Sequence, residues 1–244
     1  MGEDLYQIWV YLAAEPLTGL FVTLVAYRLG LALFERAGRP PILNPVLTAV
    51  LLIVGLLTVT DVDYSAYFEG AQFVHFLLGP ATVALAIPLY NQLSSVRRSL
   101  PALAAAILVG SVTAAGSAVA VAWVLDASPQ TVISLAPKSV TTPIAMGVAE
   151  RLGGLPSLTA VLVILSGILG AIAGPGLLKL VGVRDDRAGG VAMGTASHGI
   201  GTARALQTGE VAGAFSGLAM GLNGLATAVL LPLLYALFMA GDTP

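Results

Sequence analysis

Two short stretches of an otherwise apolar chain hold most of the side chains able to do chemistry. The first is Pro137-Lys138-Ser139-Val140-Thr141-Thr142-Pro143, where two prolines, three hydroxyls and a cation fall inside a hydrophobic context. An ammonium at the centre of a bilayer costs at least about 2.5–3.5 kcal/mol, so Lys138 needs a carboxylate, water or a bound anion. With Pro143 as the first helical residue and Thr141 or Thr142 as its cap, free amide donors and a positive dipole end face the break. That arrangement suits a carboxylate. The alternative is that Lys138 snorkels from a helix end or pairs with Glu150 or Asp126.

The second stretch is Gly194-Thr195-Ala196-Ser197-His198-Gly199-Ile200-Gly201-Thr202-Ala203-Arg204. Its small residues let backbone approach a ligand closely, and an imidazole can carry a proton near neutral pH or hydrogen-bond a substrate hydroxyl. A buried neutral histidine at a close helix crossing explains His198 equally well. Glycines at 213, 217 and 221, and again at 170 and 174, repeat every fourth residue and mark helix-packing faces. Asn223 lies beyond them, and its amide is costly to bury unpaired. No metal-ligand cluster, nucleophile elbow, phosphate loop or spaced carboxylate pair occurs in the membrane segments, so the chain does not read as an enzyme and needs no cofactor. A Ser139/Lys138 dyad is disfavoured because neighbours on a helix point apart.

These groups sit in a membrane protein. Of 244 residues, 57% are hydrophobic and 10% charged, against roughly 25% charged in soluble domains. Mean hydropathy is +0.92. Cysteine is absent, and the net charge of −2 gives no reason to expect nucleic acid. The acidic Met1-Gly2-Glu3-Asp4 start does not resemble a cleaved targeting segment. Charge-free stretches place spans at 40–60, 70–96, 99–125, 152–178 and 211–241, with a sixth at about 16–34 containing Arg28. The segments 131–149 and 188–203 are poor continuous spans, because irregular backbone at membrane depth is tolerated only where protein or a cavity surrounds it. Arg36, Arg39, Arg97 and Arg98 lie on one side and Asp61, Asp63 and Glu69 on the other, which puts the N-terminus outside. If 131–149 crosses, Lys179, Arg184 and Arg187 fall outside; if it re-enters, they are cytoplasmic.

The chain forms a single transmembrane domain with two expected inverted halves, 16–98 and a longer 99–241. Residues 76–88 align weakly with 220–232, and Asn44-Pro45 corresponds to Thr142-Pro143. Helix breaks are expected at Pro45, Pro143 and Pro80. The fold class is therefore an all-α polytopic membrane protein, with an inverted-repeat, transporter-like arrangement of two broken or re-entrant helices near the midplane.

Leu78-Gly-Pro-Ala-Thr-Val-Ala-Leu-Ala-Ile-Pro-Leu-Tyr90, Pro137 to Ala145, Ala196 to Arg204 and Ser216 to Asn223 resemble, in order, the motifs of the LrgB/CidB family. The resemblance covers the chain from about Pro16. It implies a bacterial cytoplasmic-membrane protein: either an antiholin-like regulator of murein hydrolases acting with a small holin-like partner of the LrgA/CidA type, or a carrier similar to the plastid glycolate/glycerate translocator. It also implies kinship with antiporter-like proteins that have crossed discontinuous helices, a moving core and a homodimeric scaffold. The mid-span aspartate common in that class is missing here, leaving His198, Glu150 and Glu210 as proton-carrier candidates. The transporter description fits the polar breaks better. On this reading Lys138, Thr141 and Thr142 hold the carboxylate of a small 2-hydroxy or pyruvate-like acid, and Ser139, His198, Gly199, Thr202, Asn223 and Asn44 complete the site.

Overall fold

The computed structural model describes residues 16–77, 80, 83–84 and 86–239. Every described regular element is helical, and the chain divides into two compact units, Met1–Ala84 and Leu85–Pro244.

In the first unit, α1 (Pro16–Arg36) is followed by a 3-10 turn (Pro41–Leu43), α2 (Pro45–Thr60) and α3 (Tyr64–Phe76). Pro40 and Pro41 cannot continue α1, and Gly38 and Arg39 turn the chain at φ 80° and 62°. Asn44 starts α2: its Oδ1 accepts from the amides of Val46 (2.9 Å) and Leu47 (3.3 Å), with Pro45 in the first turn. Pro45 is thus a helix start after the 3-10 turn. The Thr23 and Tyr67 hydroxyls meet at 2.7 Å and tie α1 to α3.

The second unit runs α4 (Ala86–Asn91), α5 (Leu93–Val124), α6 (Pro129–Leu135), α7 (Thr142–Arg151), α8 (Pro156–Leu180), α9 (Asp186–Thr208) and α10 (Glu210–Met239). Among the described residues, four helices are long and apolar enough to cross a membrane: Leu17–Arg36, Leu93–Val124, Pro156–Leu180 and Glu210–Leu237. α2, at 16 residues, is shorter.

Charge-free stretches misplace two starts. Arg97 and Arg98 lie inside α5, which begins at Leu93, because a helix tolerates cations on an exposed face near its end. The expected span 70–96 is not one helix: α3 begins at Tyr64 and includes the exposed Glu69, and the chain crosses the unit boundary after Ala84. Pro80 is helical, but the neighbours that would carry its break lie outside the described residues.

α9 folds back on itself. Its backbone leaves helical geometry at Ser197 (φ −131°, ψ 15°) and His198 (φ 41°, ψ −131°). A Cβ on Gly201 would strike the Met193 carbonyl, although eight residues of straight helix separate atoms by about 12 Å. Before the break, Gly190 and Gly194 lie against the carbonyls of Ala212 and Ser216, so this arm runs parallel to α10. After it, Gly213 lies against Leu206 and Thr202 meets Ser216, so the second arm runs antiparallel to α10.

The chain from α6 to α7 also returns. Its helices are separated by a turn over 136–141, and the amide of Leu155 reaches back to Ser134 Oγ at 2.8 Å. Gly153, at φ 87°, makes the final reversal.

Candidate functional site

The two breaks meet in the second unit between the middles of α8 and α10. On one side, Ser166 Oγ of α8 donates to the Lys138 carbonyl at 2.8 Å, and Val163 clusters with Val140 and Ala145. On the other, the Val163 carbonyl accepts from His198 Nε2 at 2.9 Å. A carbonyl can only accept, so Nε2 carries the hydrogen and a neutral ring keeps Nδ1 as acceptor. His198 is 5% exposed. The ring fits because α8 has glycines beneath it: a Cβ at Gly167 would lie 2.7 Å from His198 Cε1 and Nε2, and one at Gly170 would collide with Ser197 Oγ.

Asn223 binds the junction together. It is 1% exposed; its Nδ2 donates to the carbonyls of Ser139 (3.2 Å) and Thr195 (3.0 Å), and its Oδ1 accepts from Ser111 Oγ of α5. Both amide hydrogens are therefore spent on backbone. Asn223, expected to line the site, bridges the two breaks through its amide hydrogens, because a buried amide must satisfy its donors.

Lys138 is half-buried, and its Nζ donates to Ser139 Oγ at 3.2 Å. The expectation that these neighbours point apart assumed a helix; residues 136–141 form a turn, which allows the contact. Among the described residues Lys138 pairs with no carboxylate, neither Glu150 nor Asp126. Thr141 occupies the cap of α7 but its hydroxyl makes no capping bond, and Thr142 rather than Pro143 is the first helical residue. The first amides of α7 are left without a cap partner. Thr202, 2% exposed, bonds the His198 carbonyl (2.9 Å) and Ser216 Oγ (3.0 Å). Gly199 is exposed, and a Cβ there would meet only Met220 Sδ, at 3.9 Å.

The acidic candidates lie away from the junction. Glu150 and Glu210 are both exposed, and Glu210 accepts from Asn91 Nδ2 at 2.9 Å. Thirteen residues of α10 separate Glu210 from Asn223, about 20 Å of helix. Asn44 belongs to the first unit, where its side chain is the α2 cap.

Ser111, Val163 and Ser166 escaped the sequence reading. A serine inside each of two apolar spans was the available signal for the first and third; Val163 acts through its backbone carbonyl and carries none. Thr195 Oγ1 is enclosed without a hydrogen-bond partner. Thr195 also lines a cavity of about 790 Å³ between α5 and the first arm of α9, together with Gly110, Thr113 and Ala196.

Comparison with known proteins agrees along nearly the whole chain. The protein is 37% identical to the uncharacterized protein YxaC of Bacillus subtilis strain 168 over 90% of this chain and 95% of the relative. It is 34% identical to an uncharacterized protein of Haemophilus influenzae over 89% and 94%. It is 32% identical to the antiholin-like protein LrgB of Bacillus mycoides strain KBAB4 over 89% and 95%. No solved structure matches. With residues 23–237 matching its family model, the chain is a multi-pass membrane protein that belongs to the LrgB-like family.

Proposed function

We propose that this protein is a secondary carrier of small organic anions, with 2-hydroxycarboxylates such as glycolate and glycerate, or pyruvate-like acids, as the substrate class. One observation carries the reading: Lys138 is half-buried in a helix break, without a carboxylate partner among the described residues, beside the uncapped start of α7. An unpaired cation and free amide donors at membrane depth form a site for a carboxylate. The two folded-back segments then act as re-entrant hairpins whose breaks meet near the midplane, an arrangement suited to alternating access. Their helical arms, of seven to eleven residues, reach about 10–17 Å, too short to cross the roughly 30 Å hydrocarbon core.

This arrangement also orients the second unit. Treating both segments as re-entrant places Arg97, Arg98, Lys179, Arg184 and Arg187 at one membrane face, which the positive-inside rule makes cytoplasmic. In this reading the carrier is a homodimer in a bacterial cytoplasmic membrane, the second unit supplies the moving core, and His198 is the nearest proton carrier to the site.

Counterflow of labelled glycolate, glycerate, lactate and pyruvate into proteoliposomes tests the reading. Saturable uptake that Lys138→Met abolishes, in protein that still inserts and elutes as a single species, is the expected result. Normal uptake in the variant removes Lys138 from the site, and no uptake of any acid by folded protein overturns the carrier. The name of the Bacillus mycoides relative supports a second reading, a regulator of cell-wall hydrolysis acting with a small holin-like partner. That activity would survive Lys138→Met and vanish when the partner is deleted.

A further inference from the structure

A second pocket, with charged side chains on a largely apolar wall, lies at the end of α8, apart from the junction of the breaks. About 320 Å³ of space separates the last turns of α8, the 181–185 loop and both arms of α9. Lys179, Arg184 and Arg204 line it, one from each of these three elements. None of the three pairs with a carboxylate among the described residues. Of the two acids present, Asp185 is already bound to Arg187 at 2.7 Å, which leaves Asp186 against three cations. Arg204 gives one N–H to Gln207 at 2.9 Å, while its enclosed Nε has no partner. Apart from Thr208, the rest of the wall is apolar, with Leu178 and Val183 beside the cations.

We propose that this pocket binds the phosphate of an anionic glycerophospholipid headgroup. The excess positive charge calls for an anion, and the planar Arg204 guanidinium, with no carboxylate partner among the described residues and a free Nε, suits phosphate oxygens. Its position favours lipid over a free phosphate. α8 is long and apolar enough to cross a membrane, so Lys179 in its last turn stands at headgroup depth. The apolar wall then receives the glycerol and the first methylenes of the acyl chains, which a soluble phosphate would leave empty. Because Arg204 comes from the second arm of α9 and Asp186 and Gly189 from the first, a bound headgroup clamps the folded-back helix closed at its open end.

Thermal unfolding of the purified, delipidated full-length protein, titrated with short-chain phosphatidylglycerol, tests this. Saturable stabilisation is expected, with equal concentrations of the matching phosphatidylcholine giving none. Removing each cation weakens apparent affinity about fivefold, so Lys179→Gln with Arg184→Gln shifts the midpoint about 25-fold. Both residues are exposed, so the double variant keeps the fold. Arg97→Gln with Arg98→Gln, which removes two cations of α5 that do not line the pocket, leaves the titration unchanged. Equal stabilisation by phosphatidylcholine, or equal loss in the α5 double variant, reduces the effect to general lipid or surface charge and overturns the site. Full stabilisation by glycerol 3-phosphate alone overturns the lipid and assigns the pocket to a soluble phosphate.

Discussion

His198 Nε2 donates to the carbonyl of Val163 at 2.9 Å, and the Val163 side chain packs against Val140, inside the other break. One residue of α8 therefore touches both interruptions of the helical backbone. His198 holds this contact from φ 41°, a conformation that disfavours any Cβ. His198→Ala keeps the strained Cβ while losing the hydrogen bond and the ring, and should lower stability by about 2 kcal/mol. His198→Gly loses the same contacts but relieves the backbone, and should be milder by about 1 kcal/mol. Denaturation in detergent or bicelles of the two variants side by side checks the order; equal losses would mean the backbone is not strained at His198.

Gly170 lies where α8 meets Ser197. A Cβ there overlaps the serine hydroxyl, so Gly170→Ala should destabilise by about 1–3 kcal/mol through overpacking. Gly176, on the same helix, has open space around it, and Gly176→Ala should be neutral or slightly stabilising. The difference between the two alanine variants in thermal unfolding is the test.

Asp185 caps α9, accepting from the amides of Arg187 (2.8 Å) and Ala188 (3.2 Å). Hydrogen bonding from the Arg187 side chain, then from the Ala188 amide, holds its carboxyl at about 2, below its ordinary 3.8. A lowered value means that the stabilisation is complete above pH 3.8 and is lost as pH falls toward 2. Asp185→Ala should therefore cost about 1 kcal/mol, constant between pH 5 and 8. The gap to the unmodified protein should close only below about pH 4. Unfolding midpoints of both proteins across that range measure it.

The chain contains no cysteine, so single introduced cysteines report membrane sidedness without background. Leu125 and Val181 are both exposed, 74% and 71%. With 128–155 re-entrant, Leu125→Cys and Val181→Cys should react with an impermeant maleimide from opposite sides. Labelling from the same side would mean that 128–155 crosses the membrane completely.

How much was readable beforehand depended on how local the cause was. Proline, glycine and hydroxyl clusters disturb a helix where they stand, so 131–149 and 188–203 could be singled out, and the backbone does leave helical geometry at 136–141 and at Ser197–His198. Boundaries drawn from charge failed at α3 and α5, because Glu69, Arg97 and Arg98 ride on exposed helical faces. The bonding of Asn223 was not legible for another reason. Its cost when unpaired is visible in the residue type, but the carbonyls that satisfy it belong to positions 84 and 28 residues away.

Composition and spacing by themselves determined a multi-pass helical membrane protein, with its polar groups gathered at two interruptions. Local chemistry suffices for that, since apolar runs must leave water and broken helices must find partners. Only the tertiary structure decided that α9 turns back on itself, that Val163 and Asn223 join the two breaks, and that Lys138 reaches Ser139 yet meets no carboxylate among the described residues. Those outcomes rest on clearances supplied by other helices, such as the missing side chains of Gly167 and Gly170 under His198 and Ser197, and no local pattern encodes which helix will provide them.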